Sequence, residues 1–315
     1  HHLEIQHASG TGLTCTPSSV TVKACADAAC SSVYTDGVSG TLGATGGSVN
    51  WPSTAAFSIA AGSSTTTTVS LQATTTTSTV LGVASSTPAA TNAATCNFGS
   101  PSCTFTAADA GFVFDVAHHV SEVVQTVNVS AVRKSDNSAV CVPAFASASK
   151  AVTFSCGYSN PTTGTLPVRV GGSALNSSAS TAAACDAGGR AVTLSFNASG
   201  VASTTVQYAD VGQVLLSARY AGAAGGSEAG LVMTGSDSFI AAPDSFTVSG
   251  VTAGPIRAAS SFAATVSARN SAGNTTPNFG RETGAESANL AWVRIQPSGS
   301  GAVNGSFSGS LGAFS

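Results

Sequence analysis

The feature that most limits this chain is a period of two. Ser19-Val20-Thr21-Val22-Lys23-Ala24-Cys25 alternates polar or small residues with apolar ones, and residues 126–132, 151–155, 166–170, 204–208 and 262–268 do the same. Alternation at that period puts the β-branched or aromatic side chains of each segment on one face of a strand. Gly, Asn, Asp and Ser cluster between the segments at short spacing, so each strand ends in a turn. Leu, Glu, Lys, Met and Arg are scarce, which excludes long helices; Lys23, Lys134 and Lys150 are the only lysines. The one short helix considered, Thr106-Ala107-Ala108-Asp109-Ala110, reads better as a turn.

The chain also repeats itself. Phe57-Ser58-Ile59 leads through a small-residue turn into Thr-rich residues ending at Val69, and Leu194-Ser195-Phe196 leads likewise to Val206. Thr79-Val80-Leu81-Gly82-Val83 follows the first copy and Gln213-Val214-Leu215-Leu216-Ser217-Ala218 the second. A third copy begins at Phe246-Thr247-Val248 and runs out at Ser306-Phe307-Ser308-Gly309. Repetition at this length implies tandem domains, whereas solenoid repeats run to about 20–50 residues. The expected fold is therefore all-β: tandem immunoglobulin-like antiparallel β-sandwiches, the last one incomplete. The expected units are a sandwich over 1–90, a disulfide-containing linker over 91–108, a sandwich over 109–241 and an incomplete sandwich over 243–315. The chain reads as a processed or truncated piece of something longer, its last unit completed by later residues or by another molecule.

Charged residues make up 8% of the 315, the net charge is −3, and no basic cluster occurs, so nucleic acid is not an expected partner. The 43% apolar content suffices for cores. No run of 18 apolar residues occurs, and no membrane insertion by this segment is expected. Phe is the main large core residue, with Trp51 and Trp292 as anchors.

Eight cysteines in a Ser/Thr-rich, Lys-poor chain read as disulfides formed outside the cytoplasm. Cys96 and Cys103 enclose a loop turned by Gly99 and Pro101 and are the expected pair. Cys25 and Cys30 can close likewise, leaving Cys15, Cys141, Cys156 and Cys185. With both loops closed, one bridge must tie the first unit to the second or a thiol is left over; alternatively Cys96 and Cys103 split, one to each neighbour. Either way the joint is stiffened.

Signatures of chemistry are missing. There is no nucleophile elbow, phosphate loop, dinucleotide fingerprint, zinc-protease helix or EF-hand loop. Asp115-Val116-Ala117-His118-His119-Val120-Ser121-Glu122 is the one polar cluster, but adjacent His on a strand point to opposite faces. It reads as a loop between strands. His1, His2, Glu4 and His7 read as a mobile N-terminus or a joint. The Asp-rich turns lack the clustered carboxylates of a calcium loop, and the Asn-X-Ser/Thr matches are chance products of composition. No catalytic residue, metal or cofactor is expected, and the chain is expected not to be an enzyme. A carbohydrate-binding module would need surface aromatics, for which Trp51, Tyr158 and Tyr208 are the candidates.

His1-His2-Leu3-Glu4-Ile5, Leu13-Thr14-Cys15-Thr16-Pro17 and Val22-Lys23-Ala24-Cys25-Ala26-Asp27-Ala28-Ala29-Cys30 resemble the MshQ-like (MSHA-type pilus biogenesis) family of exported bacterial proteins, a domain of unknown function. So do Cys96-Asn97-Phe98 through Cys103, Ala110-Gly111-Phe112-Val113-Phe114-Asp115-Val116, Leu166-Pro167-Val168-Arg169-Val170 and Tyr208-Ala209-Asp210-Val211-Gly212. The resemblance implies an extracellular, cell-surface or pilus-associated protein, exported through the inner membrane and without catalysis. It carries over no ligand-binding residues. The expected role is a non-enzymatic structural stalk, with other surface or pilus proteins, a second copy of itself or a glycan as partners. The alternative is a filament subunit that assembles by strand complementation.

Overall fold

A computed structural model of the chain describes residues 1–62, 66–285 and 287–290. Trp292 and the expected end of the third copy at Ser306-Phe307-Ser308-Gly309 lie outside the described residues. The first 108 residues supply ten strands: β1 (His2–Gln6), β2 (Thr11–Leu13), β3 (Ser18–Cys25), β4 (Val38–Gly46), β5 (Val49–Asn50), β6 (Ala56–Ile59), β7 (Thr66–Ala73), β8 (Thr79–Thr87), β9 (Thr95–Cys96) and β10 (Thr104–Ala108). They form two five-stranded sheets, in the orders β5-β7-β3-β1-β9 and β2-β10-β8-β4-β6. The alternation predicts which side chains turn inward. Leu3 and Ile5 of β1 and Val20, Val22 and Ala24 of β3 share one core with Val38, Leu42, Phe57, Ile59 and Leu81 of the other sheet.

Residues 91–108 are not a linker. β9 pairs in parallel with β1, and β10 pairs with both β2 and β8. Phe98, Phe105 and Ala107 are buried in the first core. Against the expected turn at 106–110, residues 106–108 end β10 and only Asp109 bends, because Phe105 and Ala107 alternate inward and Thr106 faces out. The N-terminal histidines are also not on a mobile arm: β1 lies between β3 and β9, and His2 is 4% exposed.

Eleven strands build the second unit: β11 (Ala110–Val113), β12 (His119–Val120), β13 (Gln125–Lys134), β14 (Cys141–Pro143), β15 (Ala148–Asn160), β16 (Val168–Val170), β17 (Ser173–Ala174), β18 (Arg190–Phe196), β19 (Val201–Tyr208), β20 (Gly212–Ala221) and β21 (Val232–Ala242). They hydrogen-bond in the order β17-β16-β19-β13-β11-β21-β20-β15-β18, with β12 on β21 and β14 on β13. The sheet turns over at β11, antiparallel to β13 and parallel to β21. Its halves enclose one core, with Val127, Val129, Ala202 and Val206 on one side and Val152, Phe154, Val214 and Leu216 on the other.

The two units share a plan. β4 lies between β6 and β8 as β15 lies between β18 and β20, and β3 pairs with β7 as β13 pairs with β19. The repeated segments are the β6–β7 and β18–β19 crossings, whose two strands lie on opposite sides of their core. β22 (Ser245–Ser249) and β23 (Thr265–Arg269) then form an antiparallel pair, related as β1 is to β3. The alternation at 262–268 overreaches at its start, since the strand begins at Thr265. No described helix is long and apolar enough to cross a membrane.

Candidate functional site

The side chains that converge are those that join one unit to the next. At the first joint, β2 carries Leu13 alongside β10 and out to the second unit. The Thr14 amide donates to Ala108 O (3.0 Å), and its hydroxyl donates to Asp109 Oδ1 (2.6 Å). The Lys134 amide donates to Asp109 O (2.6 Å), and its ammonium reaches back to Thr74 O (3.1 Å) in the first sandwich. Gly111 leaves room for this approach: a Cβ there would lie 2.7 Å from Leu13 Cδ2 and 2.7 Å from Thr234 O. The Cys15–Cys141 disulfide crosses the same joint and links residues 126 apart.

All eight cysteines are paired. Cys25 joins Cys30, Cys96 joins Cys103, and Cys156 on β15 joins Cys185 in the loop before β18. This decides against the arrangement that splits Cys96 from Cys103. His2, Cys25 and Cys30 are the one described cluster with metal-ligand side chains, but both sulfurs are spent in a disulfide. A cysteine ligates a metal as a free thiolate, so His2 is left alone there.

The second joint is polar and buried. Asp210, two residues after the end of β19, is 0% exposed. Its Oδ1 accepts the amides of Val211 (2.9 Å) and Asn278 (3.0 Å). Asn278 also donates its side-chain amide to Tyr208 Oη (3.2 Å), and Asn270 Nδ2 donates to Ala209 O (2.9 Å). The Ser271 amide donates to Ser121 O (3.1 Å). Val211, Ala268 and Phe279 pack into a small apolar core beside these bonds. Gly212 sits at φ +109°, where a Cβ would meet Asn160 O at 2.5 Å, so the turn after Asp210 needs glycine. Burial pushes the Asp210 carboxyl above the ordinary aspartate range, opposed by the two amides and by Arg281.

The remaining candidates lie apart. Tyr208 is a correction: it is 0% exposed in the second core and is not a surface aromatic. As the last residue of β19 it continues the inward face of Ala202 and Val206. Burial raises its phenol pKa well above the usual value. The Tyr158 hydroxyl donates to Leu166 O (2.8 Å) and accepts the Cys185 amide (2.9 Å), and Trp51 packs on the first core. His118 Nδ1 accepts the Ile240 amide (3.2 Å), whereas His119 stacks on Phe239 at 5.1 Å. The two rings therefore do not share a site. Nothing in the sequence singled out Asp210 as functional, and only its burial marks it.

A family model described as the first Ig-like domain of a domain of unknown function (DUF6701) matches residues 93–236. A second, described as a domain of unknown function (DUF8613), matches residues 1–89. No curated protein matches the chain. Among solved structures the chain is similar to the D0-D1 domain of intimin, at 15% identity and a TM-score of 0.30, over 75% of this chain and 96% of that one. It is similar to the Yersinia pseudotuberculosis adhesin InvE at 15% identity and a TM-score of 0.24, over 76% of this chain and 58% of that one. Invasin, titled a bacterial integrin-binding protein, gives 13% and 0.22, over 79% of this chain and 41% of that one. The fold is all-β and immunoglobulin-like.

Proposed function

We propose that the chain is a non-enzymatic stalk segment of a bacterial surface protein, adhesin-like or pilus-associated, acting outside the cytoplasm. In this reading its sandwiches are spacers that hold a distal domain away from the cell, and the unit boundaries fall near Asp109 and Pro243. The observation that carries the reading is the first joint, where a disulfide, two side-chain hydrogen bonds and a glycine contact fix one sandwich on the next. A spacer transmits force only if its joints do not fold back. Four disulfides and no free thiol favour an oxidising compartment. Placement with an MSHA-type pilus rests on the sequence resemblance, and the partners proposed are other surface or pilus proteins.

Solution scattering of the purified chain tests this. A compact particle of this length has a radius of gyration of about 20 Å, and a rod of joined sandwiches is expected above about 25 Å. A compact particle with a deep polar pocket sinks the reading.

The second reading is a filament subunit. All five residues of β22 are exposed, and its neighbour among the described residues is β23. In this reading the third unit, expected to be incomplete, is completed by a strand from a second copy. Fibrils in micrographs that vanish on deletion of residues 243–315 would favour it.

A further inference from the structure

β1 ends at Gln6, and the next residue, His7, opens the turn that leads into β2. Its Nδ1 accepts the amides of Gly10 (2.9 Å) and Ser9 (3.2 Å), so the neutral ring carries its proton on Nε2. The His7 amide donates to Asn97 Oδ1 (2.9 Å) in the Cys96–Cys103 loop. The ring stands edge-on to two phenylalanines, its centroid 5.9 Å from that of Phe98 and 5.2 Å from that of Phe105. Both phenylalanines are buried in the first core. Gly10 presses on the same loop. It sits at φ +69°, and a Cβ there would lie 3.0 Å from Phe98 Cδ2. Its carbonyl accepts the Thr106 amide of β10 (3.0 Å). One imidazole thus ties together the β1–β2 turn, the disulfide loop and β10.

Protonation of this ring is incompatible with those bonds. An imidazolium donates from both nitrogens, so an Nδ1 proton points at two amide N–H groups and both bonds are lost. Among the described residues no carboxylate is bonded to the ring. Residues 8–10, β2, β10 and the loop 97–102 carry no titratable side chain. On β1, Glu4 is engaged by Gln6 Nε2 (2.5 Å), and His2 lies at the other end of the strand beside Cys25 and Cys30. We propose that His7 is an acid-sensitive clasp: neutral, it closes the β1–β2 turn onto the Cys96–Cys103 loop, and protonated from solvent it lets them part. Burial lowers the His7 pKa below the ordinary histidine value of 6.5. A depressed imidazole contributes fully to the closed turn above the ordinary value. That contribution is lost as pH falls below 6.5 and through the lower value of the closed form. β2 runs on from the turn to Leu13 and the first joint, where the Cys15–Cys141 bridge does not titrate. Acid therefore loosens the turn and the loop without separating the units. The clasp goes beyond the stalk reading and does not depend on it.

Hydrogen exchange of the full chain at pH 7 and pH 5, read by mass spectrometry on peptides and corrected for intrinsic rate, tests the clasp. Peptides over residues 7–12 and 97–106 are expected to exchange several-fold faster at pH 5, while β7 in the same sandwich keeps its rate. β12 and β21 do not serve as controls, because burial also lowers the pKa of His119, which stacks on Phe239 there. His7→Asn places an amide oxygen where Nδ1 stands, so it is expected to hold the turn closed at both pH values. His7→Phe fills the ring's space without an acceptor and is expected to exchange at pH 7 as the parent does at pH 5. In proton NMR spectra of the parent, the His7 ring signal is expected to titrate below 6.5. A His7 signal that titrates at or above that value overturns the proposal. So do equal exchange rates at the two pH values, or a His7→Asn chain that opens in acid as the parent does.

Discussion

Gly111 shows how one residue sets the spacing of two sandwiches. A methyl group there meets Leu13 from the first unit and Thr234 O from the second at 2.7 Å, so one of them must move. Gly111→Ala is expected to destabilise the chain by about 1–3 kcal/mol, the usual cost of overpacking, measured by denaturant unfolding. Away from the joints, Glu228 accepts from Lys150 Nζ (2.6 Å) and from the Tyr220 hydroxyl. The ammonium also lies 5.0 Å from the Phe145 ring. Lys150 first, then Tyr220, holds the Glu228 carboxyl below the ordinary glutamate range. A depressed carboxyl stabilises the folded state above its unfolded pKa, and that contribution is lost as pH falls through the folded value. Glu228→Gln is therefore expected to lie about 1 kcal/mol below the parent at neutral pH, a modest figure because both side chains are partly solvated. The two stability curves should converge as the solution is acidified below pH 4; parallel curves across that range would refute the assignment. Neither site was legible beforehand. Gly111 sits in an ordinary strand pattern, and Glu228 is 78 residues from Lys150.

At the scale of elements, alternation was legible because each strand buries one face on a neighbour that alternates in the same way. It failed where strands are short or lie at the rim. β9 is two residues long, and β10 was obscured by Ala107-Ala108, residues that suit a turn or helix as well as a strand. Both exist because β1, β2 and β8 offer them partners. The Cys156–Cys185 bridge ties β15 to the loop before β18 over 29 residues. Replacing both cysteines by serine is expected to cost about 2–4 kcal/mol in the second sandwich, measured by thermal or denaturant unfolding. Phe154, 1% exposed between the two halves of the sheet, is expected to cost about 3–5 kcal/mol as Ala by the same measurement. A loss below 1 kcal/mol would mean the halves do not share the core described.

For the whole molecule the joints matter more than the sandwiches. The paired variant Cys15→Ser, Cys141→Ser leaves both cores intact and removes the covalent link at the first joint. Limited proteolysis and scattering should then report a more flexible chain, with cleavage between the units that the parent resists; unchanged profiles would show that the hydrogen bonds at Asp109 suffice. Here the division between sequence and tertiary structure is clear. Period two, scarce helix formers and an internal repeat by themselves determined a succession of β-sandwiches, because strand patterning is local and every copy carries it. Cysteine parity required either a bridge between units, a leftover thiol or a split of Cys96 from Cys103, and left the pairing open. That Cys15 meets Cys141, that residues 95–108 complete the first sandwich, and that Asp210 is sealed under Asn278 were decided only in three dimensions. Each depends on which distant segment arrives beside it, and proximity across a hundred residues leaves no periodicity in the chain to read.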